Sequence, residues 1–145
     1  GLIINITSIA GYMGLPYRGI YSASKAALEL VTESYRMETK SFGVKFTTLA
    51  PGDFATNIAS GRYHTPVYEN SPYKKMYKNT LDAIDSDVDS GGDPREVGKK
   101  IAKIIETKNP KPHYQVGSFI QKFSLTLKSI LPGLWFEKML ENHSS

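Results

Sequence analysis

Short apolar runs alternate with longer amphipathic segments along the chain. Residues 2–6 form an apolar, β-branched run that small residues close, which predicts a buried strand. Residues 22–41 follow a helical period, and Gly43 lies just past their end, where glycine readily stops a helix. Residues 45–50 predict a second strand, and Pro51 ends it because proline cannot donate to a central ladder. The helix is expected to face a sheet with one stripe of side chains: Ala23, Ala27, Leu30 and Ser34.

The middle of the chain is more polar. Residues 53–70 predict a loop and residues 72–84 predict a helix, before a break at residues 90–92. The next helix begins at residues 93–96, Asp-Pro-Arg-Glu. These residues combine an aspartate cap, an early proline and a third-position glutamate, which are three agreeing signals for a helix start.

The order of the elements predicts the fold class. Residues 113–116 suggest a third strand, and the chain from residue 118 follows a helical period broken once at Pro132-Gly133. Strands alternating with helices are typical of an α/β protein with a parallel sheet and right-handed crossovers. Parallel sheets usually have more than the three strands predicted in this sequence. We therefore expect residues 1–145 to form one half of a larger, doubly wound parallel-sheet domain.

Composition narrows the classes of function. The 145 residues are 40% hydrophobic and 22% charged, which is enough for one core and unlike a disordered tail. The net charge of +4 comes without a long run of like charge, so no nucleic-acid partner is expected. The absence of cysteine excludes disulfides, thiolate nucleophiles and cysteine-ligated metal, and it fits the cytoplasmic location that we expect. The first residues look like the inside of a strand, so we expect the chain to begin within a larger domain.

A tyrosine and a lysine at the start of the first predicted helix are the best candidates for chemistry. Tyr21 and Lys25 are four residues apart, so both side chains lie on one helix face. An ammonium near a phenol favours the ionised phenol, which makes the pair a proton donor and acceptor usable near neutral pH. Ser8 follows the first strand, at the edge where ligands bind in open α/β sheets. Its hydroxyl is expected to bond a carbonyl oxygen that Tyr21 protonates. The alternative is an ordinary surface pair, which the matching positions of Ser8 and Pro51-Gly52 disfavour.

Three segments together resemble a known family. They are residues 4–11, Ile-Asn-Ile-Thr-Ser-Ile-Ala-Gly, residues 21–27, Tyr-Ser-Ala-Ser-Lys-Ala-Ala, and residues 51–56, Pro-Gly-Asp-Phe-Ala-Thr. In order and separation they are similar to the serine, the Tyr-x-x-x-Lys motif and the Pro-Gly-x-x-x-Thr motif of the short-chain dehydrogenase/reductase family. The resemblance covers essentially the whole chain. It is specific up to Thr56 and mostly architectural beyond it.

The resemblance implies that residues 1–145 are the C-terminal half of a Rossmann-like, doubly wound parallel-sheet domain. It also implies an NAD- or NADP-dependent oxidoreductase that interconverts a hydroxyl and a carbonyl. It implies Tyr21 as the catalytic acid and base, Lys25 as the residue that binds the nicotinamide ribose and lowers the pKa of the tyrosine, and Ser8 as the residue that orients the substrate oxygen. The nicotinamide pocket would be lined by Pro51, Gly52, the backbone of Phe54 and the side chain of Thr56. No metal is implied.

The sequence departs from the family in one large respect. The family's glycine-rich turn, on which the pyrophosphate rests at a helix N-terminus, has no counterpart here. The family's catalytic asparagine and the residue that selects NAD or NADP are missing too. We therefore expect the chain alone to show no dehydrogenase activity and only weak nicotinamide binding. The alternative is a non-enzymatic fragment or interaction module, which would pair its open first strand or apolar tail with a partner.

Two segments carry the expectations for substrate and partners. Residues 57–90 correspond to the family's substrate lid. Their pocket candidates are Tyr63, Tyr68, Tyr73, Met76 and Tyr77. Residues 118–145, an apolar and basic helical extension, either cover a core or subunit interface, which we favour, or lie against a membrane surface. Family members with such extensions often act on lipid-like molecules, so the resemblance implies a hydrophobic alcohol or ketone.

The first predicted helix and the first predicted strand carry the expectation for assembly. In the resembled family, the helix that corresponds to residues 22–41 forms part of the dimer interface. The strand at residues 2–6 is expected to have an unpaired edge. We therefore expect a homo-oligomer that uses this helix or this edge.

Two other patterns could suggest metal binding, but a structural role without a metal is favoured for both. Asp85, Asp87 and Asp89 mimic a calcium loop, but Ser90 stands where the loop needs glycine, so a solvated acidic loop is favoured. The three histidines have no ligand spacing and are expected to be solvated or locally bonded: His64, His113 and His143.

Overall fold

A computed structural model describes residues 1–58, 61 and 66–144, with the side chains of residues 143 and 144 excepted. Three strands alternate with helices, as the sequence predicts. The strands are β1 (Leu2–Ile6), β2 (Lys45–Pro51) and β3 (His113–Val116). The α-helices are α1 (Gly19–Glu38), α2 (Lys74–Asp89), α3 (Arg95–Ile105), α4 (Phe119–Ile130) and α5 (Gly133–Ser144). Two short 3₁₀ turns lie at Ile9–Tyr12 and Lys40–Phe42.

The strands form one parallel sheet in the order β1-β2-β3. β1 pairs with β2 from Leu2 opposite Lys45 to Ile6 opposite Leu49. β2 pairs with β3 up to Pro51 opposite Val116. The α/β class and the parallel sheet are confirmed. Because the strands are parallel, their carboxyl ends meet at one edge, and the candidate residues that follow these ends meet there too.

Local sequence signals place the later helices well. The Asp93 carboxylate accepts a hydrogen bond from the Arg95 amide at 2.9 Å, so the predicted aspartate cap forms. The break predicted at Pro132-Gly133 separates α4, which ends at Ile130, from α5, which begins at Gly133. The helix expected at residues 72–84 starts at Lys74 and continues to Asp89, five residues further than predicted.

The boundaries and the buried face of α1 differ from the prediction. The helix begins at Gly19 and ends at Glu38, and Gly43 stops a following 3₁₀ turn with φ at 69°. The expected stripe does not face the sheet: Leu30 is 66% exposed, and Ala23 and Ala27 are exposed as well. The residues that α1 buries are polar ones: Ser22, Glu29 and Thr32. The stripe prediction was wrong because the sheet offers polar partners to this helix, such as the Asn5 amide that donates to the Thr32 hydroxyl at 2.8 Å.

The core lies between the carboxyl edge of the sheet and the C-terminal helices. Ile9, Met13, Ala50 and Phe136 are its buried members. Apolar side chains of α4 and α5 pack against it: Leu125, Leu127, Met139 and Leu140. The C-terminal extension therefore covers part of a core, which is one of the two roles that the sequence favours.

The outer face of the same two helices stays open. Its exposed apolar side chains are Phe119, Ile120, Phe123, Ile130, Leu134 and Trp135. Across the part of the chain that the structure describes, no helix is both long and apolar enough to cross a bilayer.

Candidate active site

The site lies where the strands of the sheet end. Thr7 and Ser8 follow β1, Gly52 follows β2 and Gly117 follows β3. The Gly52 amide donates to the Val116 carbonyl at 2.8 Å, which holds the ends of β2 and β3 together. This edge is where parallel α/β sheets bind ligands, because the loops that leave it diverge and open a crevice.

Tyr21 and Lys25 occupy the first turns of α1, above this edge. The Lys25 ammonium lies 5.8 Å from the centroid of the Tyr21 ring. It also donates to the carbonyl of Ile6, the last residue of β1, at 3.2 Å. The Tyr21 side chain is open to solvent, with 41% of its surface exposed. The predicted pair therefore lies on one helix face, and the lysine connects it to the end of the first strand.

The turn that carries Ser8 packs closely on α1. A Cβ at Gly11 would lie 3.0 Å from the backbone carbon of Lys25, so glycine permits this close approach. The Ser8 hydroxyl accepts a hydrogen bond from the Ala10 amide at 3.1 Å and caps the 3₁₀ turn. Accepting this bond leaves the hydroxyl proton able to donate to a ligand. Ser8 and the Tyr21–Lys25 pair are thus brought to the same edge.

The 51–56 loop, which begins at Pro51, the last residue of β2, runs along the edge. Phe54 is buried and pairs with Gly92, whose carbonyl accepts from the Ala55 amide at 3.0 Å. A Cβ at Gly91 would lie 2.8 Å from the Phe54 backbone, so the break at residues 90–92 lets two segments approach closely. Thr56 is exposed at the end of this loop. The four predicted pocket residues, Pro51, Gly52, Phe54 and Thr56, therefore follow one another along the site edge.

A glutamine from α4, which the sequence did not single out, touches this loop. The Gln121 amide nitrogen donates to the Asp53 carboxylate at 2.6 Å. Its amide oxygen accepts from the Ser118 backbone at 3.2 Å as part of a capping box. Ser118 and Gln121 have the spacing of a capping box, and that local signal marks the helix start but not the contact with Asp53.

A buried polar network lies beneath α1. The Glu29 carboxylate accepts hydrogen bonds from Thr7 at 2.5 Å and from Thr48 at 2.7 Å. His113 of β3 places its Nδ1 2.9 Å from the same carboxylate, and its Nε2 lies 3.1 Å from Glu33. His113 is therefore locally bonded, as the sequence predicts. The network joins α1 to β2, to β3 and to the residue that follows β1.

A second tyrosine at this edge is unsuited to proton transfer. Burial, followed by the negative charge of Glu29, raises the pKa of Tyr12 well above its ordinary value of 10.0. A phenol with a pKa raised in this way is a poor proton donor, whereas the Tyr21 ring is exposed and open to a ligand.

The remaining sequence expectations concern the acidic segment, metal ligands and the tyrosines of residues 57–90. Asp85, Asp87 and Asp89 lie within α2, so they form a helix segment and not the acidic loop that was favoured. No cluster of three potential metal ligands occurs among residues 1–58, 61 and 66–144. Tyr73 and Tyr77 make edge contacts with the Tyr17 ring at 6.4 and 5.8 Å between centroids. Tyr68 and Met76 are exposed, while Tyr63 and His64 lie outside the described residues.

Comparison with known sequences points to one family. A family model described as short chain dehydrogenase matches residues 1–66. A 3-ketodihydrosphingosine reductase of Bacteroides thetaiotaomicron is 38% identical over 133 residues, which are 91% of this chain and 49% of the relative. An uncharacterized oxidoreductase of Bacillus subtilis, YusZ, is 32% identical over 143 residues, covering 96% of this chain and 51% of the relative. The chain thus spans about half the length of the curated relatives it matches.

Solved structures agree on the fold. A short-chain dehydrogenase from Streptomyces avermitilis superposes with a TM-score of 0.67 at 26% identity, covering 100% of this chain and 52% of that one. A short-chain dehydrogenase/reductase from Burkholderia phymatum, solved in complex with NAD, gives a TM-score of 0.71 at 23% identity. That match covers 89% of this chain and 47% of the other.

Proposed function

The chain belongs to the short-chain dehydrogenase family, and on that basis we propose that the whole protein is an NAD- or NADP-dependent oxidoreductase. It interconverts a hydroxyl and a carbonyl on an apolar small molecule. The observation that carries the proposal is the position of the Lys25 ammonium, between the exposed Tyr21 ring and the carboxyl end of β1. A phenol and an ammonium at this edge form a proton donor and acceptor beside the expected ligand crevice.

Each of the three polar residues has its own part in the reaction. When bound, the nicotinamide accepts or supplies the hydride. In the reducing direction, the Tyr21 hydroxyl gives its proton to the carbonyl oxygen, and in the oxidising direction it takes that proton back. The Ser8 hydroxyl donates a hydrogen bond to the same oxygen and orients it. The positive charge of Lys25 stabilises the Tyr21 phenolate left after proton transfer.

The described residues fit the nicotinamide end of the cofactor. The Lys25 ammonium has three N–H groups and directs one to Ile6, so two can meet the ribose hydroxyls. Pro51, Gly52, the Phe54 backbone and the exposed Thr56 hydroxyl lie along the same edge. In the described part of the chain, the glycines between β1 and α1 are spread over a segment that also holds a 3₁₀ turn, so no short glycine-rich turn joins a strand directly to a helix N-terminus. We assign the pyrophosphate and the choice of NAD or NADP to residues outside this chain.

Each segment of the chain has its own role in the proposed function. Residues 1–145 supply the catalytic half of the domain, with residues 57–90 as the substrate lid and residues 118–145 as an apolar helical extension. By itself the chain is inactive and binds nicotinamide weakly. The name of the 38% identical relative supports a ketone substrate. The rings of Tyr73 and Tyr77, at the start of α2, contact the Tyr17 ring in the segment before α1. This cluster of rings supports an apolar substrate.

The remaining partners follow from the exposed surfaces. The apolar face of α1 supports a homo-oligomer of the whole protein, and the open edge of β1 adds a second surface for association when the chain is studied alone. The open face of α4 and α5 is the surface through which the protein would touch a membrane, with its basic residues Lys122, Lys128 and Lys138 nearby in sequence. The working location of the protein is the cytoplasm.

A substrate screen on the whole protein tests the proposal. Reduced NAD and reduced NADP are each offered with two matched series of ketones, one with growing alkyl chains and one with growing polar chains. We expect oxidation of one reduced cofactor, with a kcat/KM that rises with alkyl length, because each buried methylene contributes about 0.8 kcal/mol to binding.

Two results would contradict the proposal. Turnover with neither cofactor would favour the alternative of a non-enzymatic interaction module. A preference for the polar series would leave the oxidoreductase in place and overturn the apolar substrate.

A further inference from the structure

Gln121 fills the space beside two glycines of the site edge. A Cβ at Gly52 would lie 2.0 Å from the Gln121 amide oxygen and 2.8 Å from its Cδ. A Cβ at Gly117 would lie 2.8 Å from the same oxygen, and Gly117 has a φ of 150° that other residues rarely adopt. The glutamine amide therefore packs against the backbone at the ends of β2 and β3, where any larger residue would displace it.

The two ends of this amide have separate partners. The oxygen accepts from the Ser118 backbone and completes the capping box of α4. The nitrogen donates to the Asp53 carboxylate at 2.6 Å, 68 residues away in the chain. The cap needs only an acceptor at position 121, because glutamate serves in capping boxes as well as glutamine. The bond to Asp53 is therefore independent of capping.

Asp53 is held from both sides. Its side chain accepts from Gln121, and its backbone carbonyl accepts from the Gly92 amide at 3.1 Å. The Gly92 carbonyl in turn accepts from Ala55 at 3.0 Å. The loop at residues 51–56 is thus fixed between α4 and the break at residues 90–92.

We propose that Gln121 is a positioning residue that sets the path of the 51–56 loop for the nicotinamide. It touches neither substrate nor cofactor in this role. It acts through Asp53 and by packing against Gly52. The identity of the ligand rests on the function proposed above, whereas the control of the loop by Gln121 does not.

The decisive variant is Gln121→Glu, because it separates the loop contact from the cap. The carboxylate keeps the size and the acceptor for Ser118, but it cannot donate to Asp53 and repels it. We expect the melting temperature of the whole protein to fall by only about 2–4 °C, the effect of losing one part-buried hydrogen bond. We expect amide hydrogen exchange in residues 52–55 to be faster by about tenfold, since a hydrogen bond to a charged group is lost. The dissociation constant for the nicotinamide cofactor should rise by about tenfold, with kcat changed by less than about twofold.

Two further variants control the experiment. Lys122→Ala lies next to Gln121 on the exposed side of α4 and should leave loop exchange and cofactor affinity as they are. Gly52→Ala would push the flexible Gln121 side chain away and break its bond to Asp53. Its effect on loop exchange and that of Gln121→Glu should therefore fail to add in the double variant.

The outcomes for the 51–56 loop and for nicotinamide binding can be told apart. Loop exchange and cofactor affinity in Gln121→Glu equal to wild type would overturn the positioning role. So would a fall in melting temperature that fully accounts for faster exchange across the whole protein. Faster loop exchange in a protein that binds no nicotinamide would support the control of the loop, while overturning the proposed function and with it the assignment of the ligand.

Discussion

A carboxylate with almost no solvent contact lies beneath the helix that carries the candidate chemistry. The Glu29 side chain is 7% exposed, and two threonine hydroxyls and His113 surround it. A buried charge is costly unless hydrogen bonds compensate it, and here all three partners are within hydrogen-bond distance. Glu29 follows Lys25 by one helical turn, so its network fixes the height of Tyr21 and Lys25 above the sheet edge.

Substituting this residue should therefore cost stability. We expect Glu29→Gln to lower the free energy of unfolding by about 1–3 kcal/mol, because an amide satisfies fewer of the surrounding donors. Glu33→Gln is the matched control, since the Glu33 side chain is 48% exposed and meets His113 from the solvent side. It should cost less than about 1 kcal/mol. Equilibrium urea unfolding measures both variants, and equal, small losses would mean that the buried network contributes nothing specific.

Motif spacing identifies some site residues and is blind to others. Tyr21 and Lys25 can be found because the chemistry needs both on one helix face, and the sequence shows their separation directly. Gln121 cannot be found in this way, because its partner Asp53 lies 68 residues away and only the fold brings them together. The same holds for His113, which is 84 residues from Glu29.

At the scale of elements, the capping signal at residues 93–96 predicted the start of α3 better than the apolar stripe predicted the buried face of α1. The starts of α3 and α4 are encoded by capping residues, and both caps form as hydrogen bonds. The face that α1 turns to the sheet is decided by partners on other elements. Glu29 can be buried because Thr7 and Thr48 donate hydrogen bonds to it. Thr32 can be buried because the Asn5 amide donates to its hydroxyl. An apolar stripe was therefore the wrong criterion for this helix.

The consequence for α1 is an apolar face directed outward. Its exposed side chains include Ile20 at 88% and Met37 at 73% of their surface. Leu30, Val31 and Tyr35 are also exposed. A helix of a stable monomer rarely leaves this much apolar surface open, so α1 is an element prepared for a further contact.

At the scale of the whole molecule, the exposed surfaces predict association. Among the residues that the structure describes, β1 pairs with a strand on one side only, and α1 leaves its apolar face open. We expect the chain studied alone to sediment as a dimer or larger assembly at low micromolar concentration. Replacing Leu30 and Met37 with lysine should shift it toward monomer if α1 forms the contact.

A variant on α5 provides the control for the two substitutions in α1. Trp135→Lys, on the open face of α5, should leave the assembly unchanged because it lies on a different surface. A folded monomer with a cooperative melt at the same concentration would contradict the expectation. It would mean that neither α1 nor the edge of β1 needs a partner.

In the proposed function, Tyr21 exchanges the proton while Lys25 serves both the tyrosine and the cofactor. The most direct measurement compares turnover and cofactor affinity in the whole protein for Tyr21→Phe, with Tyr35→Phe as the control on the same helix. Tyr21→Phe keeps the ring and removes the ionisable oxygen. It should lower kcat by at least about a hundredfold and leave the cofactor dissociation constant nearly unchanged, whereas Tyr35→Phe should change neither. Lys25→Ala should damage both quantities. A Tyr21→Phe protein that turns over at the wild-type rate would remove Tyr21 from the acid and base role and contradict the account.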